Sequence, residues 1–184
     1  MPANMTFVPF KTNLLYPHAA NNIDAIDLRV WSPDSGSLPN EIAIMVHGFL
    51  EDKHMWENLL PQWTAYGSVL TVDLPGHGAT PSFGYEHSME FMADALYALT
   101  SFLKLKPFLL LGHSMGGYVG LEYAVHYSDQ LASLGLFFST PEPDSTERKI
   151  MRDRSVALVK QNKNTFIRAS IPQLFDPNTR EAIK

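Results

Sequence analysis

LLLGHSMGGYVG, residues 109–120, joins two kinds of text: an apolar run that stops at Gly112-His113-Ser114-Met115-Gly116-Gly117, and a small-residue helical pattern that begins at once. In an open parallel sheet the ligand crevice lies beyond the carboxyl ends of the strands, so a serine at such a strand-to-helix seam sits where ligands bind. A bend this tight forces Ser114 into a strained conformation, and glycines at 112 and 116 remove side chains that would collide there. The hydroxyl is thereby pushed outward. The helix that opens at Met115 leaves that residue's amide without an intrahelical acceptor, with the positive end of the helix dipole behind it. An oxyanion developing beside Ser114 would be stabilised.

Working outward from this seam, strands and helices alternate. EIAIMVHG (41–48) and SVLTVDLPG (68–76) are nearly continuous apolar runs, as expected of strands buried on two faces in a parallel sheet. AIDLRVW (25–31) alternates apolar and polar residues and reads as an early strand, closed by a turn in the Pro33 to Pro39 region. WENLLPQW (56–63) reads as a short helix. Ser88 caps a longer one, whose apolar positions Met89, Met92, Ala93, Leu96, Leu99 and Leu103 keep helical spacing up to Pro107. FLLLG (108–112) is a strand, a helix follows from about Met115 to Tyr127, and SLGLFFS (133–139) is one more apolar strand. Right-handed crossovers between such strands imply an α/β fold over residues 1–140, a mostly parallel sheet with helices on both faces. From 141 to 184 the text turns charged and helical, through ERKIMRDRSVALVKQNK (147–163) and TFIRASIPQLF (165–175). Asp176 as N-cap with Pro177 behind it would start another helix.

Bulk properties narrow the chemistry. With 45% hydrophobic and 18% charged residues over 184 positions, one substantial core can be buried. Fourteen basic residues stand against 19 acidic ones, and only Arg148, Lys149, Arg152 and Arg154 cluster, so nucleic acid is not an expected partner. The absence of cysteine excludes a disulfide scaffold and any thiolate nucleophile or metal site. The first twenty residues lack a basic leader and a continuous apolar stretch, and no segment reaches membrane-spanning length; a cytoplasmic protein with no membrane partner is expected. Two nucleotide motifs fail: GHSMGGYV has no lysine for a phosphate loop, and GHGATP (76–81) puts Pro81 where a dinucleotide fingerprint needs glycine.

A second element points to acyl transfer. His47-Gly48-Phe49 ends the strand that begins near residue 41, so its loop enters the same crevice and the Phe49 amide is placed to give a second oxyanion hydrogen bond. Carbonyl addition uses two such donors, each worth about 10² to 10³ in rate. In this order and spacing, VHGF (46–49), DLPGHG (73–78) and GHSMGG (112–117) resemble the alpha/beta-hydrolase superfamily, in particular its small cofactor-free serine hydrolases such as enol-lactonases and carboxylesterases. The resemblance covers roughly residues 25–140. It implies Ser114 as nucleophile, the Phe49 and Met115 amides as oxyanion hole, a small-molecule acyl substrate, no metal or organic cofactor, and the start of a helical cap from 141 onward. A serine at 114, where epoxide hydrolases and haloalkane dehalogenases carry aspartate, argues against those two branches.

The chain departs from the resemblance in one respect. The family's order is serine, acid, histidine, with both partners after the cap, whereas no histidine follows His126. His126, twelve residues beyond Ser114 on one helix, is about 18 Å away along the axis and out of reach. His47, Gly48 and His113 border the crevice and are the candidate substrate-contacting residues. The blander expectation is that His113 points elsewhere and shapes the bend, that His47 and His77 make turn hydrogen bonds, and that His18, His54 and His87 are solvated loop residues. Glu142 is a possible orienting acid, although Asp144 or Ser145 as a helix cap and an exposed Glu142 is the simpler reading. Asp73 reads as a loop brace. The sequence thus reads as the amino-terminal portion of a hydrolase, nearly inert alone, since losing the triad histidine costs about 10⁶ in turnover in subtilisin. A split enzyme completed by a second chain, or a binding pseudo-hydrolase, are the other expectations.

Overall fold

The computed structural model describes residues 5–6, 26–31, 42–174 and 176. His18 and the helix expected to start at Asp176-Pro177 lie outside the described residues or at their margin. Two compact units are present, Met1–Pro141 and Glu142–Lys184.

Among the described residues of the first unit, six strands form one sheet: β1 (Met5–Thr6), β2 (Leu28–Trp31), β3 (Ile42–Val46), β4 (Ser68–Val72), β5 (Phe108–His113) and β6 (Leu131–Phe137). Their order is β1-β2-β4-β3-β5-β6. β4, β3, β5 and β6 run parallel, while β1 pairs with β2 and β2 with β4 antiparallel. The sheet is therefore the mostly parallel α/β architecture expected. The alternation around β2 has its structural counterpart: Ile26, Leu28 and Val30 are buried, whereas Asp27 and Arg29 are half-exposed. Every residue of β4 is buried, matching its unbroken apolar text. β1 carries too little pattern in its two residues to be expected from sequence.

The period of two in the strands divides the core. On one face Ile44 and Val46 of β3, Leu70 and Val72 of β4, and Phe108 and Leu110 of β5 pack with α2 (Met89–Phe102) and α3 (Met115–His126). On the other, Met45, Val69, Trp56 and Leu60 form a second cluster. α2 starts where expected, with the Ser88 hydroxyl accepting from the Phe91 amide at 3.0 Å. The segment expected as one helix over 56–63 is instead two pieces, a tight helical turn over Lys53–Trp56 and the four-residue α1 (Leu60–Trp63). Pro61 is the reason: lacking an amide hydrogen, it is tolerated only in a first turn, so the helix restarts around it.

β6 ends two residues earlier than the expected 133–139 strand. Phe138 adopts φ 48°, a left-handed conformation incompatible with an extended strand, and β6 gains Leu131 and Ala132 at its start. In the second unit, α4 (Thr146–Gln161) is capped by Ser145, whose hydroxyl accepts from the Arg148 amide, and Asp144 pairs with Arg152. α5 (Lys163–Ser170) and a final turn over Ile171–Leu174 follow. No helix among the described residues is long and apolar enough to cross a membrane.

Candidate active site

β5 and α3 meet at Ser114 with no linker. Its φ of 49° and ψ of −110° are strained for a residue with a side chain, a conformation costing about 1–3 kcal/mol. Surrounding bonds hold it there: the Ser114 amide donates to the Phe137 carbonyl at 3.0 Å, and its own carbonyl accepts from the Gly117 amide at 3.0 Å and the Ser139 hydroxyl at 2.8 Å. The side chain is exposed and caps nothing.

The two glycines have the role their positions implied. A Cβ on Gly112 would lie 2.2 Å from the Gly116 carbonyl oxygen, and one on Gly116 would lie 2.5 and 2.6 Å from the carbonyl oxygens of Val46 and His47. Only bare backbone lets the first turn of α3 press against the end of β3. The loop after β3 is thereby brought to Ser114: a Cβ on Gly48 would stand 3.2 Å from that of Ser114. Neither the Phe49 nor the Met115 amide has an acceptor among the described residues. Met115 opens α3, where the dipole favours an anion.

His47 is a candidate for substrate contact whose side chain lies beneath the surface. It is fully buried, Nε2 accepting from the Leu74 amide at 3.0 Å, which leaves Nδ1 to donate to the Gly48 carbonyl at 2.7 Å. Burial, the largest influence, holds its pKa below the ordinary histidine value, in keeping with that neutral tautomer. Because a trans peptide points its C=O and N–H in opposite directions, clamping the Gly48 carbonyl also orients the Phe49 amide. His47 is thus a backbone clamp.

His113 is half-buried, its ring held among neighbouring side chains. Its ring stands edge-on to the buried Trp56 indole, centroids 6.4 Å apart and planes at 90°, and Nδ1 lies 2.8 Å from Glu51 Oε2. Gly48 is buried and donates its amide to the same Oε2 at 2.7 Å. Burial alone would raise the Glu51 carboxyl, but the bonds from His113 and Gly48 outweigh it and hold its pKa below the ordinary value. Sequence reasoning missed Glu51 and Ser139. The legible signal for Glu51 was its place three residues after a strand-ending glycine, where a tight turn brings a carboxylate onto the glycine's amide.

The other histidines are accounted for. His77 Nδ1 lies 3.1 Å from the Pro75 carbonyl, its ring 5.1 Å from that of His47 and 6.2 Å from Phe49. His87, expected as solvated, is half-buried and accepts from the Phe83 amide, because the 76–87 loop folds back on itself. His54 is exposed beside Asp52, and His126 is exposed beside Glu122. Asp73 braces its loop, fully buried and accepting from the amides of Lys53 and Ala79 and, at 2.6 Å, from Lys53 Nζ, which also pairs with Asp27. Glu142 is exposed in the second unit. No group of His, Asp or Glu residues able to hold a metal occurs among the described residues.

Residues 43–181 match the model of the alpha/beta hydrolase family. The chain belongs to that family. A monoacylglycerol lipase of Bos taurus is 35% identical to it over 112 residues, 59% of this chain and 33% of the lipase. A pimeloyl-[acyl-carrier protein] methyl ester esterase of Neisseria meningitidis is 36% identical over 102 residues, 54% of this chain and 38% of that enzyme. The structure of a thermophilic esterase from Thermogutta terrifontis superimposes with a TM-score of 0.70 at 29% identity, over 93% of this chain and 58% of the esterase. The chain thus spans well under two thirds of the length of these hydrolases.

Proposed function

We propose that Ser114 is the nucleophile of a serine hydrolase acting on carboxylic esters or related acyl substrates. The observation that carries this reading is the exposed, strained Ser114 at the start of α3, packed against Gly48, with the amides of the adjoining Phe49 and Met115 lacking an acceptor among the described residues. Ser114 Oγ attacks the substrate carbonyl, the two amides hold the tetrahedral oxyanion, the alcohol leaves, and water releases the acid. Ester chemistry is favoured by the relatives, a monoacylglycerol lipase and a methyl ester esterase among them. The helical segment from 142 onward serves as a cap, and the proton acceptor is a histidine outside the described residues, because His113 and His47 are engaged elsewhere and His126 lies a helix length away.

That engagement of the described histidines also favours a second reading, a binding module that keeps the crevice without turnover. A fluorophosphonate probe and a panel of chromogenic acyl esters, applied to the product of the complete reading frame with Ser114→Ala as control, separate the two. Labelling and hydrolysis lost in Ser114→Ala support the hydrolase. Equal rates in both proteins refute it, and binding of ester without labelling gives the second reading.

A further inference from the structure

We infer that Glu51 is a positioning residue that keeps the two oxyanion donors in register, an inference that rests on the hydrolase reading above. Those donors come from different loops: Phe49 follows β3, and Met115 follows β5. One carboxylate oxygen, Glu51 Oε2, accepts both the Gly48 amide at 2.7 Å and His113 Nδ1 at 2.8 Å. Gly48 shares a peptide bond with Phe49, and His113 immediately precedes Ser114, so a single atom cross-braces both halves of the site.

The surroundings make this brace stiff. Trp56, fully buried, backs the His113 ring edge-on, and Phe137 packs beside it with centroids 5.8 Å apart, so the ring is a fixed post for the loop to hang on. From the other side His47 Nδ1 holds the Gly48 carbonyl. Both polar groups of Gly48 are thereby held, and the next peptide plane has one orientation left. Gly48 itself makes room, since a Cβ there would sit 2.7 Å from Glu51 Oε2 and 3.0 Å from His113 Nδ1. Bonds to an ionised acceptor are roughly twice as strong as neutral ones, which suits a brace beside a loop whose Leu50 is left-handed at φ 61°.

Reach and charge are separable by substitution. Glu51→Gln places a carbonyl oxygen where Oε2 stands and can accept both bonds; Glu51→Asp keeps the charge but falls one methylene short; Glu51→Ala removes the acceptor. In the product of the complete reading frame, Gln is expected within about threefold of wild type, while Asp and Ala lower kcat by about 10²-fold with little change in KM, because a displaced oxyanion donor is missed only in the transition state. Amide hydrogen exchange at Gly48 rises about tenfold or more in Asp and Ala but not in Gln. Wild-type kcat in Glu51→Asp, or unchanged Gly48 exchange in Glu51→Ala, overturns the inference. If Ser114→Ala is as active as wild type, the hydrolase reading fails, and the Gly48 exchange result alone decides whether the brace exists.

Discussion

Two glycines of α3 offer a comparison in which only the neighbouring wall differs. A Cβ on Gly116 meets the carbonyl oxygens of Val46 and His47 at 2.5 and 2.6 Å, both backbone atoms at the end of a central strand. A Cβ on Gly120 meets Leu134 Cδ1 at 2.8 Å, the tip of a side chain that can rotate. Alanine gains at most about 1 kcal/mol of helix propensity over glycine at either position. At 120 the leucine yields, and Gly120→Ala should fall within about 1 kcal/mol of wild type. At 116 the contact must open by about half an ångström, which moves either the helix start or β3, and overpacking of this kind costs about 1–3 kcal/mol. Gly116→Ala should therefore unfold below wild type by about 2 to 12 °C, at roughly 2–4 °C per kcal/mol for a chain of this size, and below Gly120→Ala. Paired thermal melts by circular dichroism read the difference directly, with urea m-values checking that the unfolded states match. Equal melting temperatures would show that α3 does not press on β3 as closely as described.

Acidification should weaken the fold in two steps. His47 and His87 titrate below the ordinary value of 6.5, chiefly because burial disfavours their cations, so below about pH 6.5 the unfolded chain binds protons that the folded one refuses and stability declines until the folded values are passed. Glu51, held below its ordinary value, adds a second loss once the pH falls under about 4.5; urea midpoints that are flat from pH 7.5 to 5 would contradict the histidine step. Lys53→Met should cost about 3–5 kcal/mol by leaving the fully buried Asp73 without its cation, and adding Asp73→Asn should restore part of it; a single-variant loss under about 1 kcal/mol in urea denaturation would mean that the pair is not buried.

Much of this arrangement was legible one residue at a time. The parallel strands announced themselves because burial on both faces leaves no polar position to alternate, the α2 cap because Ser88 directly precedes an apolar helical period, and the Ser114 bend because glycines two residues to either side of a serine, at a strand-to-helix boundary, answer a local steric demand. Where a local rule competed with another, the reading slipped: Pro61 divided the segment expected as one helix, and the left-handed Phe138 ended β6 early.

Sequence alone settled the α/β class, the site of the bend and the loops that approach it, since those depend on backbone sterics and on the period of apolar residues. Only the tertiary structure decided which polar groups meet there. Glu51 and His113 are 62 positions apart, as are no residues any local rule can pair, and the two nitrogens of His47 are engaged by Leu74 and Gly48. A hydrogen bond depends on a few tenths of an ångström between segments far apart along the chain, and nothing in the spacing of residues encodes that distance.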